Sequence, residues 1–213
     1  MNQDSFFFPL TLASAARAIK RGDLVVFPTE TYFAIGGDGT NPEAVDKVFA
    51  AKCRTYDNPL PLVLPHADWV SLVACALSPL TRRLMRDYWP GPLSLLLPAQ
   101  SSLPPALTGG SGMVAVRVSP HPVVKALCEA CGVPIIASSA NISGYPPVAY
   151  VNGLDPAVVA HTAGVIMDGP EPEGGMPSTI IRIVPHAGGE ALDIVRPGVV
   201  CKTEFSNKGY VLL

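Results

Sequence analysis

Charge is scarce in this chain of 213 residues: Asp, Glu, Lys and Arg make up 15% of it, with a formal net charge of -2. That balance gives no global attraction to nucleic acid, so any anion site must be a local gathering of cations. Long apolar runs are missing too. Hydrophobic residues reach 48%, which excludes a disordered chain, yet no run approaches the roughly 18 residues of a membrane span. Met1 to Leu10 carries Asp4 and three consecutive phenylalanines, but neither a basic n-region nor a small-residue cleavage site, so no signal peptide is expected. The five cysteines are odd in number and scattered, which argues against a disulfide framework and suits a reducing, cytoplasmic setting. Four histidines lie far apart with no H-E-x-x-H, and no metal ligand set is expected. G-x-x-x-x-G-K-[ST], G-x-G-x-x-G and G-x-S-x-G are all absent. A P-loop ATPase, a Rossmann dehydrogenase and an α/β-hydrolase thereby lose their simplest support.

What is present alternates between helical and strand patterns. A chain of this length buries roughly 70% of its unfolded surface, enough for one large domain. Leu12, Ala15, Ala16 and Ile19 form an apolar stripe ending at Arg21-Gly22, a first helix with a basic last turn and a glycine stop. Leu24 to Phe27 is an apolar run closed by Pro28, as expected of a strand buried on both faces. Asn41, Pro42 and Glu43 offer an N-cap, an N1 proline and an acidic first turn for a helix that ends at Lys52. Leu60 to Leu64 reads as the next strand, which makes Cys53 to Pro59 a loop. Gly36, Gly37 and Gly39 read as a turn. Ser78-Pro79 opens a helix with Leu80, Leu84 and Tyr88 on one face and Arg82, Arg83 and Arg86 facing solvent, stopped by Trp89-Pro90-Gly91-Pro92. Val124, Leu127, Cys128 and Cys131 share one helical face, so Cys128-x-x-Cys131 reads as buried structural thiols before it reads as a metal or redox pair. Strands are expected at Leu93 to Leu97, Met113 to Val118, Pro134 to Ala137, Val165 to Met167, Thr179 to Val184 and Ala191 to Val195, with a short helix from Asp155-Pro156. The late strands lack intervening helices, which implies antiparallel members. The expected fold is therefore α/β, a single domain over residues 1–213 built on one twisted, mixed parallel and antiparallel sheet covered by helices.

The chemistry rests on loop cations, Lys52, Arg54, Arg117 and Arg196, and on neutral hydrogen-bonding loops at Thr29-Glu30-Thr31, Ser138-Ser139-Ala140-Asn141 and Ser178-Thr179. Cations without a nucleophile and base suit phosphoryl or nucleotidyl transfer, where positioning and charge stabilisation do most of the catalysis. Each residue alone has a plainer reading, an arginine as a surface charge or a Ser or Asn as a turn former.

Taken in order, Pro28-Thr29-Glu30-Thr31, Lys52-Cys53-Arg54, Asn58-Pro59-Leu60, Trp89-Pro90-Gly91-Pro92, Val114-Ala115-Val116-Arg117-Val118, Ser139-Ala140-Asn141-Ile142-Ser143-Gly144, Pro177-Ser178-Thr179 and Val195-Arg196-Pro197-Gly198 form a pattern over about residues 12–198. It resembles that of the YrdC-like threonylcarbamoyl-adenylate synthases. The resemblance implies a basic cavity on one face of the mixed sheet. It also implies a reaction in which L-threonine, bicarbonate and ATP give threonylcarbamoyl-adenylate and pyrophosphate. The product then passes to a tRNA threonylcarbamoyl transferase complex. By the same resemblance Lys52 and Arg54 are the catalytic cations, and they bind ATP together with Asn58, Ser139, Asn141 and Arg196, Mg2+ accompanying the phosphates. Thr31, Arg117 and Ser178 would hold threonine, with Arg117 on its carboxylate; no metal-ligating residue is implied.

Departures from the family pattern fall on the amino-acid side. Val63 stands where a histidine is common, Met113 and Ala149 where threonines are, and Tyr32-Phe33-Ala34 where Val-Tyr-Gly is usual. Two rival readings follow: an adenylating or carbamoyl-transfer enzyme of the same fold with another amine or carbamoyl substrate, and a non-catalytic RNA-binding protein. The net charge and the lack of an aromatic and basic stripe leave at most weak RNA binding. The last motif lies close to Leu213, which is expected of the short form of the family.

Overall fold

The computed structural model describes residues 7–213, so most of the Met1 to Leu10 segment read above as lacking a signal peptide lies outside the described residues. The chain runs β1 (Pro9–Leu10), α1 (Leu12–Lys20), β2 (Val25–Pro28), β3 (Phe33–Gly36), α2 (Pro42–Ala51), β4 (Leu62–Leu64) and α3 (Pro79–Tyr88). There follow β5 (Leu93–Pro98), β6 (Met113–Val118), α4 (Pro122–Cys131), β7 (Ile135–Ile136), β8 (Ser138–Ser139), α5 (Pro156–Val159), β9 (Val165–Ile166), β10 (Thr179–His186), β11 (Gly189–Arg196) and α6 (Lys202–Asn207). The helix starts follow the caps legible in the sequence. Asn41 accepts from the Glu43 amide, Ser78 from Thr81 and Asp155 from Ala157, each satisfying an amide that lacks a helical partner.

The α/β class with mixed pairing holds, but the strands expected in one sheet divide between two. One sheet has the order β1-β9-β2-β3-β8 and the other β11-β10-β5-β6-β4-β7. Parallel pairs join β1 to β9, β9 to β2, β10 to β5 and β4 to β6, and the remaining neighbours are antiparallel. The chain crosses from the second sheet to the first at Ala137, the single residue between β7 and β8. At that corner the Ile136 amide donates to the Gly37 carbonyl at 2.9 Å. A Cβ on Gly36 would lie 1.6 Å from the Ile136 carbonyl oxygen, so the glycines read as a turn serve instead to let two backbones meet, and Gly36 ends a strand.

Two apolar cores hold these layers. Ala15 and Ile19 of α1 pack with Val124, Leu127 and Cys128 of α4 and Val25 and Phe27 of β2. The larger core joins α2 and α3 to β4, β5 and β6 through Val48, Phe49, Leu84, Leu62, Leu95 and Val116. Leu84 is fully buried, so its truncation to alanine would cost about 2–5 kcal/mol. Cys128 and Cys131 are buried free thiols, and burial pushes both upward in pKa, Cys131 to about 11. On the solvent side of α3, Arg82 and Arg86 are exposed as expected, whereas Arg83 lies over the Tyr210 ring and donates to the Lys208 carbonyl. Residues 202–207, unread as a helix, form α6 because Phe205 anchors them against Tyr88 and Tyr210.

Candidate functional site

A cavity of about 270 Å3 opens where the two sheets meet, with Phe33, Ala34 and Ala137 in its lining. Its polar lining comes from six loops or strands: Thr29, Thr31 and Tyr32; Arg54; Arg117; Ser138 and Ser139; Ser178; and Arg196. Of the residues assigned from the sequence, Thr31, Arg54, Arg117, Ser139, Ser178 and Arg196 line it. Lys52, Asn58 and Asn141 do not; they stand around it and hold its loops.

The Pro28-Thr29-Glu30-Thr31 stretch turns the chain from β2 into antiparallel β3. The Thr29 hydroxyl donates to the Tyr32 carbonyl at 2.8 Å and accepts from the amides of Thr31 and Tyr32, closing a tight turn that presents Glu30 and Thr31. Residues 173–175 lie across this turn. The amides of Glu173 and Gly174 donate to the carbonyls of Glu30 and Thr31, and the Tyr32 hydroxyl donates to the Gly175 carbonyl.

Lys52 caps α2 at its C-terminus and is only 1% exposed. Its ammonium donates to the carbonyls of Ser139 and Asn141, and its own carbonyl accepts from the Ser143 amide at 2.9 Å. The lysine thus ties α2 to the Ser-Ala-Asn loop from below. Burial first and the Arg54 charge second push its pKa down to about 7. Arg54 reaches back over its own loop, Nε donating to the Asn58 carbonyl at 2.9 Å and Nη2 to the Pro59 carbonyl at 3.1 Å. That is what the proline-stiffened Asn58-Pro59-Leu60 turn contributes: two fixed acceptors that aim a cation. Asn58 itself is exposed and its amide donates to Thr55 Oγ1. Asn141 donates to the carbonyls of Ile142 and Tyr145, while its buried Oδ1 has no partner.

On the opposite side Arg196 donates to the Ser178 carbonyl at 2.6 Å and hydroxyl at 2.9 Å, joining the end of β11 to the loop before β10. Gly198 is required there, since a Cβ would lie 2.1 Å from the Pro177 carbonyl oxygen. The Arg196 pKa is lowered by burial and then by the charges of Arg117 and Arg54, so these three cations converge on one space. Arg117, on β6, is buried, and its Nη1 donates to Glu30 Oε1. Burial alone would raise the Glu30 carboxyl, but Arg117 and the Ser119 hydroxyl outweigh it and hold the acid below its ordinary value.

Glu30 and Ser119 were absent from the residues assigned from the sequence. They are separated from each other by 89 positions, and only the identity of the Thr-Glu-Thr loop signals the glutamate. Val63 lies beside Arg117 in the β4–β6 register but is buried in the smaller core. Neither Met113 nor Ala149 lines the cavity, and both are half-buried. Tyr32, Phe33 and Ala34 do line it. Converging cations beside small hydroxyls make a site for an anionic ligand, with phosphate and carboxylate as the natural partners.

The Sua5/YciO/YrdC family model, described as telomere recombination, matches residues 17–198. A threonylcarbamoyl-AMP synthase of Xylella fastidiosa (strain M23) is 37% identical over 175 residues, covering 80% of this chain and 92% of that protein. A threonylcarbamoyl-AMP synthase of Bacillus subtilis (strain 168) is 32% identical over 195 residues, 91% of this chain and 55% of that protein. The crystal structure of P. abyssi Sua5 complexed with L-threonine matches with a TM-score of 0.83 at 32% identity, over 95% of this chain and 58% of that one. The chain thus spans little more than half the length of these last two. The matched span 17–198 contains every residue that lines the cavity, and the protein belongs to the Sua5/YciO/YrdC family.

Proposed function

We propose that this protein is an L-threonylcarbamoyladenylate synthase, joining L-threonine, bicarbonate and ATP into threonylcarbamoyl-AMP and pyrophosphate. The observation that carries this reading is one cavity gathering Arg54, Arg117 and Arg196 beside Ser139 and Ser178, in a chain that covers 92% of a relative named for that product. Threonine's amine takes up bicarbonate with loss of water to give a carbamate. A carbamate oxygen then attacks the α-phosphate and pyrophosphate departs, so no covalent enzyme intermediate is needed. Arg54 and Arg196 offer charge to the triphosphate, where positioning and electrostatics dominate such a transfer. Ser139 faces the nucleotide's polar edges, while Lys52, Asn58 and Asn141 shape the loops that carry these groups. Thr31, Arg117 and Ser178 form the threonine side. Arg117 has Nε and Nη2 without a protein partner among the described residues, the fork that a carboxylate accepts in two parallel bonds.

Mg2+ enters with ATP in this reading. Among the described residues no group of three or more His, Cys, Asp or Glu side chains gathers to hold a metal, and both Glu30 oxygens are engaged. Phosphate oxygens and water would be its ligands, and its charge would offset theirs. The unstable adenylate would be consumed by a tRNA threonylcarbamoyl transferase complex, and any RNA contact of this protein would be weak and salt-sensitive. Among the described residues no helix is long and apolar enough to cross a membrane.

The test is pyrophosphate release from ATP and bicarbonate with and without L-threonine, using serine and other amines as controls. Release that depends on threonine supports the synthase. Release that ignores threonine and follows another amine would keep the adenylation and reassign the substrate.

A further inference from the structure

Glu30 and Ser119 form a line behind Arg117 that the reaction just described does not use. Glu30 Oε1 accepts from Arg117 Nη1 and Glu30 Oε2 accepts from the Ser119 hydroxyl, which in turn accepts from the His121 amide at 3.2 Å. Arg117 lines the cavity and Glu30 does not. The carboxylate thus holds the guanidinium at Nη1 without itself lining the ligand space. One edge of the fork is held, and Nε and Nη2 carry no protein partner among the described residues. An arginine side chain otherwise loses several rotamers on binding, and a fork fixed in advance spares that loss. The carboxylate also neutralises one of three converging cations, which keeps Arg117 from being driven apart from Arg54 and Arg196.

We propose that Glu30, braced by Ser119, is the positioning residue that sets Arg117 to receive the amino acid's carboxylate and so governs amino-acid affinity. This rests on the reading of Arg117 as the threonine carboxylate's partner. Glu30→Gln keeps the size and one acceptor but removes the charge and the doubly held geometry; Ser119→Ala removes only the brace.

Two measurements on the full chain decide the matter. Nitrogen-15 NMR of the guanidinium groups reports rotation directly. Arg117, identified by its disappearance in Arg117→Ala, should show resolved Nη resonances in the parent and averaged ones in Glu30→Gln. Averaging in the parent, or resolved resonances that persist in Glu30→Gln, would overturn the positioning role whatever the substrate proves to be. Calorimetric titration then compares L-threonine with L-threoninamide, which lacks the carboxylate. Glu30→Gln should weaken L-threonine roughly tenfold, as expected for a charge-assisted bond made worse, and leave L-threoninamide nearly unchanged. Ser119→Ala should weaken L-threonine about threefold, a second variant with less risk to folding. In the Arg117→Ala background Glu30→Gln should add nothing, because the two act through one contact; additive losses would sink the proposal. If the parent binds no threonine yet its hindered Arg117 rotation vanishes in Glu30→Gln, the substrate reading fails and the positioning role stands.

Discussion

Replacing Lys52 with methionine separates two accounts of this residue that the sequence leaves mixed. The thioether keeps the straight stem that fills the buried channel and deletes the ammonium. In the structure that ammonium serves the carbonyls of Ser139 and Asn141 and does not line the cavity. Leaving two acceptors without their donor costs about 1–3 kcal/mol each. Relief from desolvating a cation returns part of this, and we expect a net loss of about 1–4 kcal/mol. At a urea slope of about 2 kcal/mol/M the midpoint should fall by roughly 0.5–2 M. The ATP KM should rise as the Ser-Ala-Asn loop slackens. The effect on stability should also depend on pH. With its pKa held near 7 against an ordinary 10.5, folded Lys52 gives up its proton while unfolded Lys52 keeps it. Between those values the unfolded state binds more protons, so parental stability rises with pH relative to Lys52→Met. A raised ATP KM with an unchanged urea midpoint would refute this reasoning and make Lys52 a direct phosphate ligand.

Further outcomes follow from single contacts. Gly198→Ala drives a Cβ into the Pro177 carbonyl and should cost about 1–3 kcal/mol while displacing Ser178, read as a lower melting temperature together with a higher threonine KM. Glu30→Gln should be less stable than the parent at neutral pH. Because the Glu30 acid is held below its ordinary value, the difference should vanish as pH falls through that depressed pKa, checked by melting curves in acid. Alkylation of the native protein should modify Cys53, Cys75 and Cys201, which are exposed, and reach Cys128 and Cys131 only after denaturation. Labelling of Cys128 under native conditions would contradict its place on the buried face of α4, in one core with α1.

Elements whose signals are local were legible. Caps at Asn41, Ser78 and Asp155, the apolar stripe of α1 and the cysteine face of α4 depend on near neighbours in sequence. What escaped depends on distant backbone. β3 was hidden because Gly36 disfavours a strand by propensity and is needed there only because Ile136 arrives a hundred residues later at its Cα. The division into two sheets turns on Ala137, a crossing that no periodicity announces. The candidate site shows the same divide. Its cations could be named from motif order, yet which of them face the cavity could not. Lys52 and Arg54 stand two apart, but one is spent on loop carbonyls and the other lines the ligand space. The Glu30–Arg117 pair spans 87 positions and joins the β2–β3 turn to strand β6, which only the fold brings together.

The most direct test of the central claim follows carbon from bicarbonate. The purified protein is supplied with carbon-13 bicarbonate, ATP, Mg2+ and L-threonine, and the mixture is read by mass spectrometry. The account predicts threonylcarbamoyl-AMP heavier by one mass unit, with the label in the carbamoyl carbon, and its disappearance when threonine is withheld. Turnover of ATP to AMP and pyrophosphate without a labelled threonine adduct would contradict it.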